Sequence, residues 1–276
     1  MSGLKQQPGV EQQSSTRVSK AVVLEKVRVR YRPQDAAALE VDHLSIDVGE
    51  QVAVIGPSGS GKTTLLRLIN GYAKLEAGEV RVLGNGIHST TSRSVQSRRR
   101  GLRLQVGIIF QDFNLIGRAS VFDNVLWGRL GRLNPLLSSL GWFPGADKRV
   151  ALRSLDEVGL LAQADRRADS LSGGQQQRVG VARVLAQEAE ILLADEPVSS
   201  LDPALAGDIL GLLTAVSRRH GATLLMSLHQ PRLAVRYAQR IVGLQEGRVV
   251  WDGAAAALDD DAVCTIYDRR LELNVP

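Results

Sequence analysis

A glycine-rich segment, Gly56-Pro57-Ser58-Gly59-Ser60-Gly61-Lys62-Thr63, matches the pattern G-x-x-x-x-G-K-[ST]. The apolar run Gln51–Ile55 before it has the composition of a strand buried on both faces, and Leu65, Leu66 and Ile69 after it recur at helical spacing. Between a strand and a helix, the glycines allow backbone N–H groups to surround a polyphosphate, and the helix directs its N-terminus at the same anion. The sequence therefore predicts a binding site for a nucleoside triphosphate.

The side chains of this segment have distinct expected roles. We expect Lys62 to reach the β- and γ-phosphates and the Thr63 hydroxyl to coordinate Mg²⁺. The residues predicted to contact the nucleotide are Gly56, Pro57, Ser58, Gly59, Ser60, Gly61, Lys62, Thr63 and Thr64.

Two acidic residues, Asp195 and Glu196, follow the apolar strand predicted at Ile191–Ala194. A carboxylate at the carboxyl end of a parallel strand beside a phosphate-binding loop can hold Mg²⁺, and we assign this role to Asp195. Glu196 can then polarise a water molecule in line with the γ-phosphate. The alternative is a strand that ends in a solvated acidic turn.

A second glycine-containing helix start occurs at Leu171-Ser172-Gly173-Gly174-Gln175-Gln176-Gln177-Arg178. Ser172 is a typical N-cap, and the two glycines allow backbone N–H groups to approach a ligand closely. One nucleotide cannot use both helix starts of a single chain unless the chain folds tightly back. We therefore expect a head-to-tail pair in which this turn closes on the partner's γ-phosphate. A flexible surface turn is the alternative.

Length and composition exclude several classes of protein. The chain has 276 residues, 44% of them hydrophobic, which suffices for one large α/β domain. A single cysteine, Cys264, excludes a disulfide-stapled miniprotein. No apolar run approaches the roughly 18–20 residues that span a bilayer, and the N-terminus lacks the apolar region of a secretory signal. We expect a soluble protein of a reducing compartment, with a flexible tail over residues 1–20 and one domain over residues 21–276.

The positive charge is concentrated in one region of the chain. Lys and Arg number 34 against 29 Asp and Glu, a net charge of +5. Five arginines contribute to one short stretch, Arg93–Arg103. Such a cluster could bind nucleic acid or anionic lipid, but no aromatic residues interleave to stack on bases. A solvated loop is the favoured interpretation, and a nucleic-acid partner is not expected.

The order of elements indicates an α/β fold. Val27, Val29 and Tyr31 alternate with Lys26, Arg28 and Arg30, which predicts a strand that includes Tyr31. Further strand patterns, at Val80–Leu83, Val106–Phe110 and Thr223–Leu228, alternate with helical ones, which implies a mainly parallel sheet covered on both faces. Residues 112–170 differ, because they carry little strand pattern. We interpret this segment as a mostly helical insertion, with a helix at Val150–Val158 and an irregular hairpin over Gly128–Gly145.

The sequence resembles the nucleotide-binding subunits of ATP-binding-cassette transporters from about Val22 to Trp251. The specific mark is LSGGQ at Leu171–Gln175. The resemblance implies a P-loop fold with a mainly parallel core sheet, an antiparallel β subdomain and the helical insertion as a subdomain. It also implies that the nucleotide of a second copy is contacted by Ser172, Gly173, Gly174 and Gln175.

Further site residues come from the same resemblance. Tyr31 resembles the aromatic residue that stacks on adenine, and Gln111 the loop glutamine that contacts Mg²⁺ and water and senses the membrane partner. Asp202 ends a segment, Ser199-Ser200-Leu201-Asp202, that resembles the loop crossing the dimer interface. His229 resembles the switch histidine that contacts the γ-phosphate. Its position after a strand neighbouring the phosphate-loop strand independently favours a phosphate contact.

The remaining histidines lack such a context. We interpret His43, His88 and His220 as surface residues.

The implied function is Mg²⁺-dependent ATP hydrolysis coupled to solute import. Two copies would enclose two ATP molecules, with Glu196 as the base, on the cytoplasmic face of the inner membrane. The partners would be integral permease subunits and, indirectly, a periplasmic solute-binding protein. Several segments, among them Phe113–Arg118 and Ser227-Leu228-His229-Gln230, are similar to the phosphonate-import ATPases, whereas Gly180 and Pro231 depart from that pattern.

Three alternatives remain open at this stage. The first is a cassette ATPase for another solute, such as phosphate, phosphite or an amino acid. The second is a soluble cassette ATPase acting on DNA or ribosomes, which only Arg93–Arg103 supports; the chain has one cassette and no long heptad insertion. The third is a regulatory nucleotide-binding module without turnover, against which the presence of Glu196 and His229 argues.

Overall fold

The computed structural model describes residues 19–87, 101–133, 138 and 141–268. The strands are β1 Lys20–Val29, β2 Leu39–Asp47, β3 Gln51–Ile55, β4 Ala77–Val82, β5 Asn85–Ile87, β6 Val106–Ile109, β7 Ile191–Asp195, β8 Thr223–Leu228, β9 Arg240–Gln245 and β10 Arg248–Ala254. The α-helices are α1 Lys62–Ile69, α2 Val121–Leu126, α3 Gly145–Glu157, α4 Gly173–Gln187, α5 Pro203–His220, α6 Pro231–Tyr237 and α7 Asp260–Tyr267. Short 3₁₀ helices occupy Trp127–Arg132, Leu161–Gln163, Ala168–Ser170 and Ala255–Ala257, and residues 101–105 are helical.

The central sheet has the strand order β10-β9-β3-β8-β7-β6. Its four pairings from β9 to β6 are parallel, and β10 pairs antiparallel with β9. The predicted mainly parallel sheet is thus confirmed. Ile55 is opposite Leu228 and Asp195 is opposite Ser227, so β3, β8 and β7 end at the same edge of the sheet. This edge brings together the phosphate loop, the residues Asp195 and Glu196, and His229.

Both faces of the central sheet are buried, each in a different core. On β3, Ala53 and Ile55 belong to the core formed with α4 and α5. Val52 and Val54 belong to the core formed with α1 and a second, antiparallel sheet of order β2-β1-β4-β5. The continuous apolar run QVAVI is therefore explained, since alternate side chains of a strand point to opposite faces.

The described part of residues 112–170 carries helices and no strand. Helix α3 overlaps the helix predicted at Val150–Val158 but spans Gly145–Glu157, and it buries Ala151 and Leu155. The prediction of an irregular hairpin over Gly128–Gly145 is wrong for the first part of that range, because the 3₁₀ helix Trp127–Arg132 lies there. The reason is a buried ion pair: the Arg129 guanidinium donates to Asp147 at 2.7 Å and to Glu188 at 2.7 Å. Residues 134–137, 139 and 140 lie outside the described residues.

Some predicted boundaries differ from the structure. Lys20 belongs to β1, where it faces Asp47 across the pair, and residues 1–18 of the predicted tail lie outside the described residues. Most of the arginine-rich stretch also lies outside them, but Arg103 is described, and its guanidinium sits 4.8 Å from the centre of the Tyr72 ring. Within the described ranges, no helix is long and apolar enough to cross a membrane.

Candidate nucleotide-binding site

The phosphate loop (Gly56–Thr63) connects β3 to α1 and borders a cavity of about 210 Å³. Gly56 and Gly61 have φ angles of 151° and 101°, which L-residues with a side chain rarely adopt. A Cβ atom on Gly56 would lie 2.1 Å from the carbonyl oxygen of Leu244, and one on Gly61 would lie 2.8 Å from that of Ala38. The glycines therefore allow both the turn and the close packing of this loop.

Lys62 is buried at the base of the phosphate loop. Its Nζ donates to the carbonyl oxygens of Gly56 and Pro57, each at 2.9 Å. Burial lowers the pKa of Lys62 because it removes the ammonium group from water, while the carboxylates of Glu196 and Asp195 oppose this effect. The side chain is thus a desolvated cation beside two acidic groups, in a site with room for an anion.

Thr63 and Asp195 are brought together as predicted. The Thr63 hydroxyl donates to Asp195 Oδ1 at 3.0 Å, across the end of β7. Hydroxyl and carboxylate oxygens are the ligands that Mg²⁺ prefers, and Mg²⁺ commonly binds through one or two such groups plus phosphate oxygens. Within the described ranges, no group of three or more His, Cys, Asp or Glu side chains is arranged so that it could hold a metal ion. The pair therefore suits a cation that enters together with a polyphosphate.

Glu196 and His229 form a direct contact at the same edge of the sheet. His229 Nε2 lies 2.5 Å from Glu196 Oε1, and Glu196 lines the phosphate-loop cavity. Glu196 has a φ of 49°, a left-handed conformation in a residue that is not glycine. Strained residues of this kind cluster at functional sites. The Tyr267 hydroxyl, at the end of α7, donates to the His229 carbonyl at 3.0 Å.

Tyr31 lies beside the phosphate loop but outside the strand in which the alternation placed it. Strand β1 ends at Val29, and the Tyr31 side chain is 57% exposed. Its hydroxyl is 3.2 Å from Thr64 Oγ1 on α1. The exposed ring is therefore held next to the loop and lines a separate cavity with Arg32 and Lys74.

Gln111 follows β6, the edge strand beside β7, and its side chain is exposed. The structure places it at the same edge as Asp195 but shows no hydrogen bond between the two. The residues after it are strained, since Phe113 and Asn114 have φ angles of 57° and 48°. The Arg183 guanidinium on α4 donates to the carbonyl oxygens of Asn114 at 2.6 Å and Phe113 at 3.1 Å. The loop after Gln111 is thereby tied to helix α4.

The signature turn (Leu171–Gln175) begins this same helix. The Ser172 hydroxyl accepts from the Gln175 N–H, and the Gln175 side chain accepts from the Ser172 N–H, which forms a complete capping box. The cavity at the phosphate loop is lined by Ala38, Ser58–Thr64 and Glu196, and by no residue of the signature turn. The two predicted anion-binding segments are thus not joined within one chain. Asp202 is exposed and caps α5 by accepting from the Leu205 N–H at 3.0 Å.

Comparison with known proteins assigns this architecture. The sequence model of the ABC transporter family matches residues 39–199. The chain belongs to the ABC transporter family.

Relatives and solved structures agree with this assignment over most of the chain. The phosphonates import ATP-binding protein PhnC of Stutzerimonas stutzeri is 46% identical over 235 residues, which are 84% of each chain. Among solved structures, cbiO1 from Clostridium perfringens, part of the ABC transporter complex cbiONQ, is 28% identical with a TM-score of 0.76, covering 89% of this chain and 93% of that chain. The ATP-binding cassette MJ0796, as a dimer in a post-hydrolysis state bound to ADP and Pi, is 31% identical with a TM-score of 0.71, covering 86% and 100%. The predicted cassette fold is confirmed.

Gly174 of the ABC signature turn is expected to tolerate no side chain. A Cβ atom there would lie 2.4 Å from Leu205 Cδ2, so Gly174→Ala forces Leu205 to move. Overpacking of this kind costs about 1–3 kcal/mol, and we expect the free energy of unfolding in urea to fall by that amount. Gly180→Ala is the matched control on the same helix, because its nearest neighbour would be 3.9 Å away. Equal stability of the two variants would contradict the prediction.

Sequence reasoning missed three residues that hold the ABC site together: Ser227, Tyr267 and Arg183. Ser227 could have been identified from the sequence, because it is a polar residue near the end of a strand, TLLMSL, that is apolar apart from Ser227 and the first residue, Thr223. Arg183 and Tyr267 act through backbone carbonyl groups, and such contacts leave no pattern in the sequence. Of the surface histidines, His43 and His220 are exposed as predicted, although His220 contacts Glu157 at 2.9 Å, and His88 lies outside the described residues.

Proposed function

We propose that this chain is the ATP-hydrolysing subunit of an ABC importer for phosphonates. The observation that supports the hydrolytic activity is the contact between Glu196 and His229 beside the phosphate loop. In that loop, Thr63 donates a hydrogen bond to Asp195. The solute is supported by the 46% identity to the phosphonates import ATP-binding protein over 84% of both chains.

Nucleotide binding begins with the phosphate loop. The backbone N–H groups of Ser58–Thr64 and the Lys62 ammonium group bind the phosphates, and Lys62 exchanges its two carbonyl acceptors for phosphate oxygens. The exposed Tyr31 ring stacks on adenine. Thr63, Asp195 and Gln111 would hold Mg²⁺, which would neutralise negative charge on the phosphates.

Hydrolysis then depends on the pair formed by Glu196 and His229. Glu196 accepts a proton from the attacking water, and Gln111 helps to orient that water. The His229 Nε2 atom contacts the Glu196 carboxylate in this structure. When the nucleotide is bound, a ring N–H of His229 donates to the γ-phosphate. The developing negative charge meets Lys62 and the phosphate-loop N–H groups, which are fixed before reaction begins.

A second copy completes each site. Ser172, Gly173, Gly174 and Gln175 of one copy contact the γ-phosphate bound to the other, and Asp202 lies at the interface. This is supported by the absence of the signature turn from the lining of its own cavity and by the dimeric state of the related cassette MJ0796. ATP binding closes the pair and hydrolysis opens it, which moves permease subunits at the cytoplasmic face of the inner membrane. A periplasmic solute-binding protein selects the solute.

Purification of the tagged chain from native membranes tests the transport assignment. We expect an integral membrane protein to copurify at a yield comparable to that of the tagged chain. Mass spectrometry identifies this protein. The accompanying solute-binding protein is then titrated with phosphonates, phosphate and phosphite, and we expect the phosphonates to bind most tightly. Copurification of ribosomal proteins or nucleic acid without a membrane protein would contradict transport and leave only the ATPase.

A further inference from the structure

We infer that Ser227 is a positioning residue, whose single hydroxyl group sets both the Asp195 carboxylate and the backbone of Glu196. This inference rests on the proposed hydrolysis at that site, since it explains how the two acidic residues are held for their roles.

The hydroxyl group of Ser227 lies between the two acidic residues. Its Oγ donates to Asp195 Oδ1 at 2.9 Å and accepts from the Glu196 N–H at 2.8 Å. Ser227 is fully buried on β8, where the sheet register sets it opposite Asp195. Neighbouring strands therefore hold the hydroxyl group at a fixed position against both residues.

The direction of both hydrogen bonds follows from chemistry. The Glu196 N–H can only donate, so the Ser227 oxygen must accept that bond, and its one hydrogen is left for the Asp195 carboxylate. Asp195 Oδ1 also accepts from the Thr63 hydroxyl at 3.0 Å. Within the described part of the chain, both bonds thus converge on Oδ1, and no hydrogen bond ends on Oδ2. Asp195 Oδ2 is therefore the oxygen that would be available to Mg²⁺, either directly or through a water molecule.

The bond to Glu196 supports a strained conformation. Glu196 is the first residue beyond the ladder of β7 and β8, and its φ of 49° is rare for a residue with a side chain. Such a conformation persists only where the surroundings hold it. Without the Ser227 hydroxyl, the Glu196 N–H loses its acceptor, and the carboxylate loses the anchor that keeps it against His229.

Ser227→Ala is expected to separate catalysis from nucleotide binding. We expect kcat to fall about 10-fold or more, and the Mg²⁺ concentration for half-maximal activity to rise, because an unsatisfied N–H and a released carboxylate disturb the reacting groups. The affinity for a fluorescent ATP analogue in EDTA stays within about 2-fold of wild type, since the phosphate loop is untouched. We expect Mg²⁺ to raise the affinity for the ATP analogue by a smaller factor in Ser227→Ala than in wild type.

Two further variants and one control complete the experiment. Ser227→Thr keeps the hydroxyl group and is expected to restore the kcat and Mg²⁺ dependence. Ser227→Cys keeps the size of the side chain but donates weakly, so it carries the test if the alanine variant fails to fold. Thr223→Ala is the matched control, because this buried hydroxyl accepts the Gly49 N–H at 3.0 Å at the opposite end of the same strand.

The possible outcomes are distinguishable. If Ser227→Ala and Ser227→Cys match Thr223→Ala in kcat and in Mg²⁺ dependence, the inference is overturned. If wild type itself releases no phosphate, the proposed hydrolysis fails instead. The Mg²⁺-dependent gain in analogue affinity needs no turnover, so it tests Ser227 in either case.

Discussion

Glu196→Gln is expected to reduce ATP turnover about 10²–10⁴-fold, the range typical for loss of a general base. Glutamine has nearly the same size and can still contact His229, but its amide cannot accept the proton of the attacking water. ATP affinity is expected to stay near that of wild type, because Lys62 and the phosphate loop are unchanged. Phosphate release under steady-state conditions and equilibrium binding of ATP measure the two quantities separately.

Glu246→Gln provides the matched control for this variant. Glu246 is an exposed glutamate with a φ of 48°, nearly the conformation of Glu196, in the turn between β9 and β10. Glu246→Gln should leave ATP turnover unchanged. The comparison then shows that the loss of turnover in Glu196→Gln comes from loss of the general base, and not from removing the charge of any glutamate with a left-handed backbone conformation. Unchanged turnover in Glu196→Gln would refute the assignment of Glu196 as the base.

Lys62→Ala is expected to weaken ATP binding about 10–100-fold, which is the loss of one or two charge-assisted hydrogen bonds. Among the described residues, the buried ammonium group donates hydrogen bonds to the carbonyl oxygens of Gly56 and Pro57, and Lys62 is the one basic residue that lines the phosphate-loop cavity. Isothermal titration with ATP measures the change. Lys148→Ala, an exposed lysine on α3, is the control and should bind as wild type does. Unaltered affinity of Lys62→Ala would contradict the phosphate role.

The parts of the fold that depend on local sequence were predictable. The bounds of β3 and β8 coincide with the predicted runs Gln51–Ile55 and Thr223–Leu228. A short apolar strand between turn residues can be identified from its own residues, without knowledge of its neighbours in the fold. The phosphate loop was predictable for the same reason, since its glycines, lysine and threonine are consecutive. Asp202 before Pro203 is a typical N-cap and Gly221 a typical C-cap, and helix α5 spans the residues between them, Pro203–His220.

The parts that depend on tertiary contacts were not predictable. The contact between Glu196 and His229 arises because β7 and β8 pair in one register, and nothing in either segment indicates that register. The same applies to the 3₁₀ helix at Trp127–Arg132, which is fixed by an ion pair between Arg129 and Asp147. Tyr31 continued an alternating pattern and so was included in a strand, although β1 ends at Val29.

The signature turn is the segment on which the proposed pairing of two copies depends. Its capping box explains why Ser172 and Gln175 occur three residues apart, and this would hold in a single chain as well. The exposure of Ser172 and Gly173, and the absence of the turn from the phosphate-loop cavity, favour a role toward a second copy. We therefore propose a composite site, made of the phosphate loop of one copy and the signature turn of the other.

Mixing two inactive variants tests that claim most directly. Lys62→Ala disables the phosphate loop, and Gly173→Asp adds a carboxylate that repels the γ-phosphate; a Cβ atom on Gly173 meets nothing closer than 3.6 Å, so this variant should fold. A mixed pair contains one site made from the intact phosphate loop of one chain and the intact signature turn of the other. We predict that an equimolar mixture hydrolyses ATP well above the rate of either variant alone. A rate equal to the mean of the two separate variants would contradict the composite site.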